Sequence, residues 1–249
     1  MTQKIYYEDP FLTKLTANII KITKDGIILD KTISYPEGGG QEGDIGIIKI
    51  LENNESIEYI DTQKLLGRSI YLDDFPKIQV ENDILHILKN LNDIEKFRVG
   101  MEVEIEIDYK RRALLSAYHS ATHLMLIAIE RVYSGYESNV YGCHITPNKS
   151  RLDFQTERKF TQEFIKDAQS FCNELINKAS DISTYPHPKE KEALYWECYG
   201  VVYPCGGTHL TNTSQLKGIK LKRKNLGKSG QRVIVEINGI NSDFFKLYH

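Results

Sequence analysis

At 249 residues, with 41% apolar and 27% charged side chains, the chain has an ordinary globular composition and room for one large core or two modest ones. It lacks the eighteen or so consecutive apolar residues of a membrane span, and Met1 to Asp9 hold no apolar signal core. The four cysteines, Cys143, Cys172, Cys198 and Cys205, follow no spacing of a small secreted disulfide scaffold, so a reducing cytoplasm is the expected compartment. The formal net charge of −2 conceals an asymmetry: residues 1–108 carry 12 Lys and Arg against 21 Asp and Glu, or −9, which leaves +7 for residues 109–249.

In chain order, the first hundred residues alternate apolar and polar over short spans: Thr16–Thr23, Gly26–Leu29, Gly46–Leu51, Ser56–Ile60 and Glu102–Ile107. Turns such as Asp25-Gly26 and Asn53-Asn54 separate them. The pattern predicts a small β-barrel or an antiparallel meander. Asp108 then has the character of an N-cap, and a helix is expected up to Ser134 through Leu114, Leu115, Tyr118, Ala121, Leu124, Met125 and Ile129, with Gly135 as its stop. A second helix is expected over Thr161–Ala179. Strands are expected near Ala193–Tyr203, Leu216–Leu221 and Gln231–Ile237. The predicted fold class is therefore α+β, with domains at 1–104 and 105–249 and a boundary near Val99–Asp108. No internal repeat or Pro/Gly/Ser-rich linker separates the halves, so they should pack closely.

Two clusters carry the chemistry. His119 and His123 lie i, i+4 on the first predicted helix, which sets their Cβ atoms roughly 5–6 Å apart on one face. Cys205 and His209 flank Gly206-Gly207-Thr208 on a loop that can bring a thiolate and a third imidazole to the same point. Three nitrogens and one sulfur suit tetrahedral Zn²⁺. Packed histidines beside an inert cysteine, and a purely structural zinc, stand as alternatives, because four protein ligands is the closed pattern of structural sites. His86, His187 and His249 are expected in polar or terminal surroundings. His144 is the tempting distractor, and Cys143, Cys172 and Cys198 are expected to pack as small hydrophobes.

A second signature is Tyr35-Pro-Glu-Gly-Gly-Gly-Gln41-Glu-Gly-Asp44. Three consecutive glycines are costly in chain entropy, so the backbone there should pass close to something or adopt φ > 0. No Lys-Ser/Thr follows, which excludes a P-loop, and the chain has no Rossmann fingerprint, GxSxG elbow or HExxH helix. Positions 120 and 122 are Ser and Thr, so the helix offers no glutamate base for a zincin protease. Near the end, Lys217, Lys220, Lys222, Arg223, Lys224, Lys228 and Arg232 form a basic run without an acid among them. Such a run is either a solvated strand pair or a phosphate-contacting surface.

Asp30-Lys-Thr32-Ile-Ser-Tyr-Pro-Glu-Gly-Gly-Gly-Gln41, His119-x3-His123, Ser150-Arg-Leu-Asp-Phe154 and Cys205-Gly-Gly-Thr-His209 resemble the editing domain of alanyl-tRNA synthetase. They stand in the family's order over nearly the whole chain. Nothing resembles the synthetase's aminoacylation core, so the likeness is to the free-standing AlaX-type editing proteins of medium length. The resemblance implies a β-barrel of translation-protein type packed on an α+β domain of the threonyl/alanyl-tRNA synthetase editing type. It implies hydrolysis in trans of tRNA(Ala) mischarged with serine or glycine, no membrane association and no stable protein partner. The zinc ligands it implies are His119, His123, Cys205 and His209; the family often has Gln before the second histidine, where this chain has Thr122. For selectivity, a site that hydrogen-bonds the serine hydroxyl rejects alanine strongly, since alanine leaves buried polar groups unpaired. Thr32 and Gln41 are the candidates for that contact, with Gly38, Gly39 and Gly40 shaping the pocket and the Gly206-Gly207 turn facing the developing oxyanion. Lys220, Lys222, Arg223, Lys224 and Lys228 are the candidate tRNA contacts. The motifs offer no evident general base, which leaves a water or a ribose hydroxyl for that role.

Overall fold

The structure, a computed structural model, describes residues 1–73, 75–135 and 139–249. Six antiparallel strands close a barrel in the order Glu102–Ile107, Lys14–Ile22, Gly26–Leu29, Ile84–Leu88, Ser56–Lys64 and Gly46–Ile50, the last pairing back to the first. Strict alternation sets the faces. In Glu102–Ile107 the side chains of Val103, Ile105 and Ile107 are buried in the barrel core while the glutamates point outward. Five of these strands match the expected spans closely. The sixth, Ile84–Leu88, was not anticipated, nor was a hairpin of Arg68–Leu72 with Phe75–Val80 that projects between two barrel strands.

Asp108 caps helix α1 (Tyr109–Val132), its carboxylate accepting from the Arg111 N–H at 3.0 Å. The helix ends at Val132 rather than Ser134, and Gly135 follows with φ +92°. Thr161 caps helix α2 (Gln162–Asn177), which buries Phe164, Ile165, Ala168, Cys172, Leu175 and Ile176 at helical spacing. Each large apolar side chain so buried contributes roughly 1.5–3 kcal/mol. Both helices pack on a four-stranded antiparallel sheet, ordered Val140–Ile145, Ser150–Gln155, Gly230–Ile237 and Ile219–Asn225. A further sheet joins Ile182–His187, Glu190–Cys198 and Val201–Pro204. The span expected as strand near Ala193–Tyr203 is thus a hairpin. Tyr199 and Gly200, both at positive φ, form its two-residue turn, the geometry that matches the twist of the flanking strands.

A buried ion pair fastens α1 to the barrel domain. Arg112 and Asp44 each expose only 1% of their side chains. Arg112 Nε donates to both carboxylate oxygens of Asp44 at 3.1 and 3.0 Å, Nη1 donates to the Pro10 carbonyl at 2.9 Å, and Nη2 donates to Asp44 and to the Ile33 carbonyl at 2.7 Å. Asp44 also accepts from the Tyr35 N–H at 2.6 Å. Removing one partner of such a pair strands the other charge, at a cost of about 3–5 kcal/mol. Arg112→Leu should therefore destabilise the fold by about that much in urea unfolding, and adding Asp44→Asn should recover a large part of it. A single-variant loss below about 1 kcal/mol, the range of surface pairs, would remove this pair from its role in joining the domains.

Candidate metal centre

One face of α1 faces the loop that follows Val201–Pro204. Ser116, His119, Ser120 and His123 fall on that face at i, i+3, i+4 and i+7; two contacts seat the loop on it and a third ties the loop to the Glu190–Cys198 strand. Ser116 Oγ donates to Thr208 Oγ1 at 2.8 Å, Ser120 Oγ accepts from the Leu210 N–H at 2.9 Å, and Cys205 N–H reaches the Leu194 carbonyl at 2.8 Å. The result gathers His119, His123, Cys205 and His209, with their ligand atoms all within 4.8 Å of one another. Cys205 Sγ lies 3.4 Å from His119 Nε2 and 3.3 Å from His209 Nε2. Co-ligands of a tetrahedral ion, with Zn–S near 2.3 Å and Zn–N near 2.05 Å, stand about 3.6 Å apart. These contacts therefore have the spacing of a shared ion. His123 Nε2 is buried and has no hydrogen-bond partner among the described residues, as a free ligand nitrogen requires. The four groups fit a metal ion.

Gln41 orients the first ligand. Its Oε1 accepts from the Thr208 backbone N–H at 3.1 Å and lies 2.8 Å from His119 Nδ1. Because that oxygen already serves as an acceptor, His119 must carry its proton on Nδ1, which leaves the Nε2 lone pair for the ion. Gln41 Nε2 donates to Thr208 Oγ1 at 3.0 Å. Burial holds the imidazoles neutral, taking His119 down to about 3 and pulling His123 and His209 well below their ordinary value. Burial likewise pushes the Cys205 thiol up to about 12. Beneath the cluster, the fully buried Trp196 stacks on His123 at 4.4 Å between ring centres, and Tyr203 stacks at 5.5 Å.

The cluster opens on a cavity of about 370 Å³. His119, His123, Cys205, Gly206 and Gly207 line one side, and Tyr7, Tyr35, Gly38, Gly39 and Lys64 come from the barrel domain. The unanticipated hairpin supplies Phe75, Pro76, Ile78 and Gln79 as a further wall, and Phe75 packs edge-on against Tyr195 at 5.2 Å. The glycine-rich loop reverses at Gly39 and Gly40, with φ of +59° and +86°. It docks on Val140–Ile145, where the Ile145 N–H donates to the Gly40 carbonyl at 2.7 Å. A Cβ on Gly40 would meet Cys143 Sγ at 2.7 Å.

Several sequence expectations change position. Gln41 is fully buried with its amide engaged, so it holds His119 and Thr208 instead of facing the cavity. Thr32 is not brought to the cavity: it is buried in the barrel, where its Oγ1 lies 2.9 Å from His86 Nε2 and accepts from the Ser34 N–H. His86 and His187 are buried rather than in polar surroundings, and burial takes His86 down to about 4. His144 is exposed beside Glu42 and outside the cluster. Cys172 and Cys198 are buried as expected, but Cys143 is only partly buried and forms part of the cavity wall. All four cysteines are free.

Lys220, Lys222, Arg223 and Lys224 lie on the edge strand Ile219–Asn225, and Lys228 lies in the turn after it. Lys220, Lys222, Arg223, Lys224 and Lys228 are exposed. Lys222 pairs with Glu236 at 2.5 Å, and Arg232 is engaged by Asp153 at 2.6 and 2.9 Å. Lys220, Arg223, Lys224 and Lys228 make no ion pair among the described residues. Their strand lies three positions from Val140–Ile145 in the sheet, roughly 14 Å at ordinary strand spacing.

Comparison with known proteins defines the class first. Residues 5–111 match the family model of tRNA synthetases class II (A), and residues 198–234 match the threonyl and alanyl tRNA synthetase second additional domain. The chain is thus built from synthetase-type modules, the first match holding the glycine-rich loop and the second the Cys205–His209 loop. It is 31% identical to the alanine–tRNA ligase of Saccharolobus islandicus and 32% to that of Sulfurisphaera tokodaii, over 88% of the chain in each case. It spans only about a quarter of those ligases, 25% and 24% of their lengths. Over 94% of the chain and 96% of the relative, it is 30% identical to the alanyl-tRNA editing protein AlaX-M of Pyrococcus horikoshii. The chain belongs to this AlaX-M family.

Gly207 is the tightest point of the centre. A Cβ there would lie 2.2 Å from His119 Cε1, 2.4 Å from its Nδ1 and 3.1 Å from Gln41 Oε1. Gly207→Ala must displace the His119–Gln41 contact, and disturbing such outer-shell partners typically costs 10–100-fold in metal affinity. Competition for Zn²⁺ against a chromogenic chelator should show a loss in that range with the far-UV spectrum unchanged. Undiminished affinity would mean that His119 does not ligate.

Proposed function

We propose that the protein hydrolyses in trans the ester of tRNA(Ala) mischarged with serine, and with glycine, and that Zn²⁺ is the ion held by His119, His123, Cys205 and His209. The observation that carries this reading is the position of the cluster on the wall of a cavity that both domains build. A purely structural ion would have no need of a cavity beside it. The AlaX-M relative, matched end to end, is by name an alanyl-tRNA editing protein. The barrel, residues 1–104 with the strand that closes it, is on this reading of translation-protein type, and residues 105–249 form the editing domain. A translation substrate and the absence of a helix long and apolar enough to cross a membrane among the described residues are consistent with a cytoplasmic protein.

When bound, Zn²⁺ supplies a positive charge that positions the ester and polarises its carbonyl. The chain's own groups do the rest. The Gly206-Gly207 turn lines the cavity beside Cys205, and the Gly207 backbone hydrogen-bonds the Cys205 sulfur, which favours its thiolate form. Gln41 keeps the His119 ring in its ligating tautomer. Thr32 and Gln41, both buried in hydrogen-bond networks, act on selectivity by holding the walls in place. No lining side chain is assigned as general base, and a water or the vicinal ribose hydroxyl takes that role.

With purified protein of known zinc content, Ser-tRNA(Ala) should be deacylated well above its spontaneous rate while Ala-tRNA(Ala) is spared, and chelation should abolish the activity. Folded, zinc-loaded protein without acceleration would favour a tRNA-binding module with a structural ion. Phosphate contacts predict a further effect. Each cation lost from such a contact lowers the slope of log K against log salt by about 0.7–0.9. Arg223→Gln with Lys224→Gln should flatten the slope for tRNA binding by about 1.5 in total. An unaltered slope would place the tRNA elsewhere.

A further inference from the structure

The cavity has a charged end that neither the metal cluster nor the family motifs account for. Lys64, at the end of the Ser56–Lys64 barrel strand, lines it together with Glu192. Glu192 is already committed. It pairs with the buried Lys4, whose side chain is 3% exposed, and its Oε1 accepts from the Glu81 N–H at 3.2 Å. Lys64 has no hydrogen bond or ion pair among the described residues. Burial, with Lys4 nearby, lowers its pKa, while Glu192 pulls in the opposite direction. Lys4 takes up Glu192 and Arg68 takes up Glu81, which leaves the Lys64 ammonium without an ion pair among the described residues. A half-buried, uncompensated ammonium is costly, so its place on a cavity wall calls for an anion.

Size indicates which anion. About 370 Å³ lies near the lower end of small-ligand sites. It accommodates an aminoacyl ester with its terminal nucleoside and leaves the rest of the tRNA outside. Lys64 comes from the barrel side of the cavity, and His119, His123 and Cys205 come from α1 and the loop after Val201–Pro204. An ester placed at the cluster therefore leaves the 5′-phosphate of its terminal nucleoside to the remaining cavity wall, where Lys64 is the unpaired cation.

We propose that Lys64 is the anion subsite of this cavity and binds the phosphodiester 5′ to the aminoacylated terminal nucleoside, setting the depth to which the ester enters. The inference rests on the hydrolase reading above. Three seryl esters test it: Ser-tRNA(Ala), seryl-adenosine, and seryl-adenosine carrying a 5′-phosphate. In the wild-type protein the 5′-phosphate should raise kcat/KM over the unphosphorylated ester by about tenfold, the yield of one charge-assisted contact. That advantage should appear mainly in KM. Lys64→Gln should abolish it, bringing the two small esters to equal kcat/KM and raising KM for Ser-tRNA(Ala), while Lys64→Arg should retain most of it. If the 5′-phosphate confers no advantage on the wild-type protein, the subsite is refuted without any variant. An equal fall for both small esters in Lys64→Gln would make Lys64 merely structural and overturn the proposal. If the wild-type protein hydrolyses none of the three, the hydrolase reading fails and the subsite with it. Hydrolysis of seryl-adenosine without a phosphate effect removes Lys64 alone.

Discussion

The buried amide of Gln41 is the contact on which the rest of the centre depends. It comes from the glycine-rich loop of the barrel domain, yet its oxygen fixes the proton of a metal ligand on α1, and both of its polar atoms hold Thr208 in the Cys205–His209 loop. One side chain therefore joins three segments that are far apart in sequence. Leaving a buried polar group unpaired costs about 1–3 kcal/mol, so the three segments settle together or the amide, the imidazole and the Thr208 N–H are all stranded. The four-residue cluster is a property of the packed barrel, helix and loop together. Neither the helix with its two histidines nor the loop with its cysteine builds it alone.

The glycines acquire their meaning from this closure. Gly207 brings backbone close to the His119 ring, and Gly40 brings it against Cys143. Any side chain at either point would push the loops apart by more than the hydrogen bonds to Gln41 tolerate. The Arg112–Asp44 pair, inside the same junction, is neutral at best as a source of stability, because desolvation offsets its attraction. What it contributes is register: five donated contacts to Asp44, Pro10 and Ile33 permit only one seating of α1 against the barrel, and that seating brings His119 to Gln41.

The local parts of this arrangement were legible in the sequence. The i, i+4 histidines, the Asp108 cap and the glycine pair between Cys205 and His209 act over a few residues, where spacing determines geometry. Alternation located five barrel strands. It failed for Ile84–Leu88, whose buried His86 interrupts an apolar run, and for the hairpin of Arg68–Leu72 with Phe75–Val80, whose exposed Tyr71 mimics a loop. Thr32 and Gln41 were recognisable as constrained, and the fold places both in buried hydrogen-bond networks. A motif shows that a polar side chain is needed; it does not show whether that side chain meets a ligand or holds the group that does. Lys64 gave no signal, because a lone lysine at a strand end is ordinary until the fold places it on a cavity wall without a partner.

The dryness that shapes the donors also explains why four protein ligands need not make the centre inert. Desolvation keeps the three imidazoles neutral and the free thiol protonated, so ion binding must expel the thiol proton. The stacked Trp196 and Tyr203 exclude water from beneath His123, while the opposite side opens to the cavity. A charge held between an apolar floor and an open wall is poorly screened on one side only. The field of an ion held there by His119, His123, Cys205 and His209 would be directed into the cavity, where it would act more strongly than in bulk water. On the proposed reading, such an ion would act by fixed electrostatics, without having to surrender a ligand.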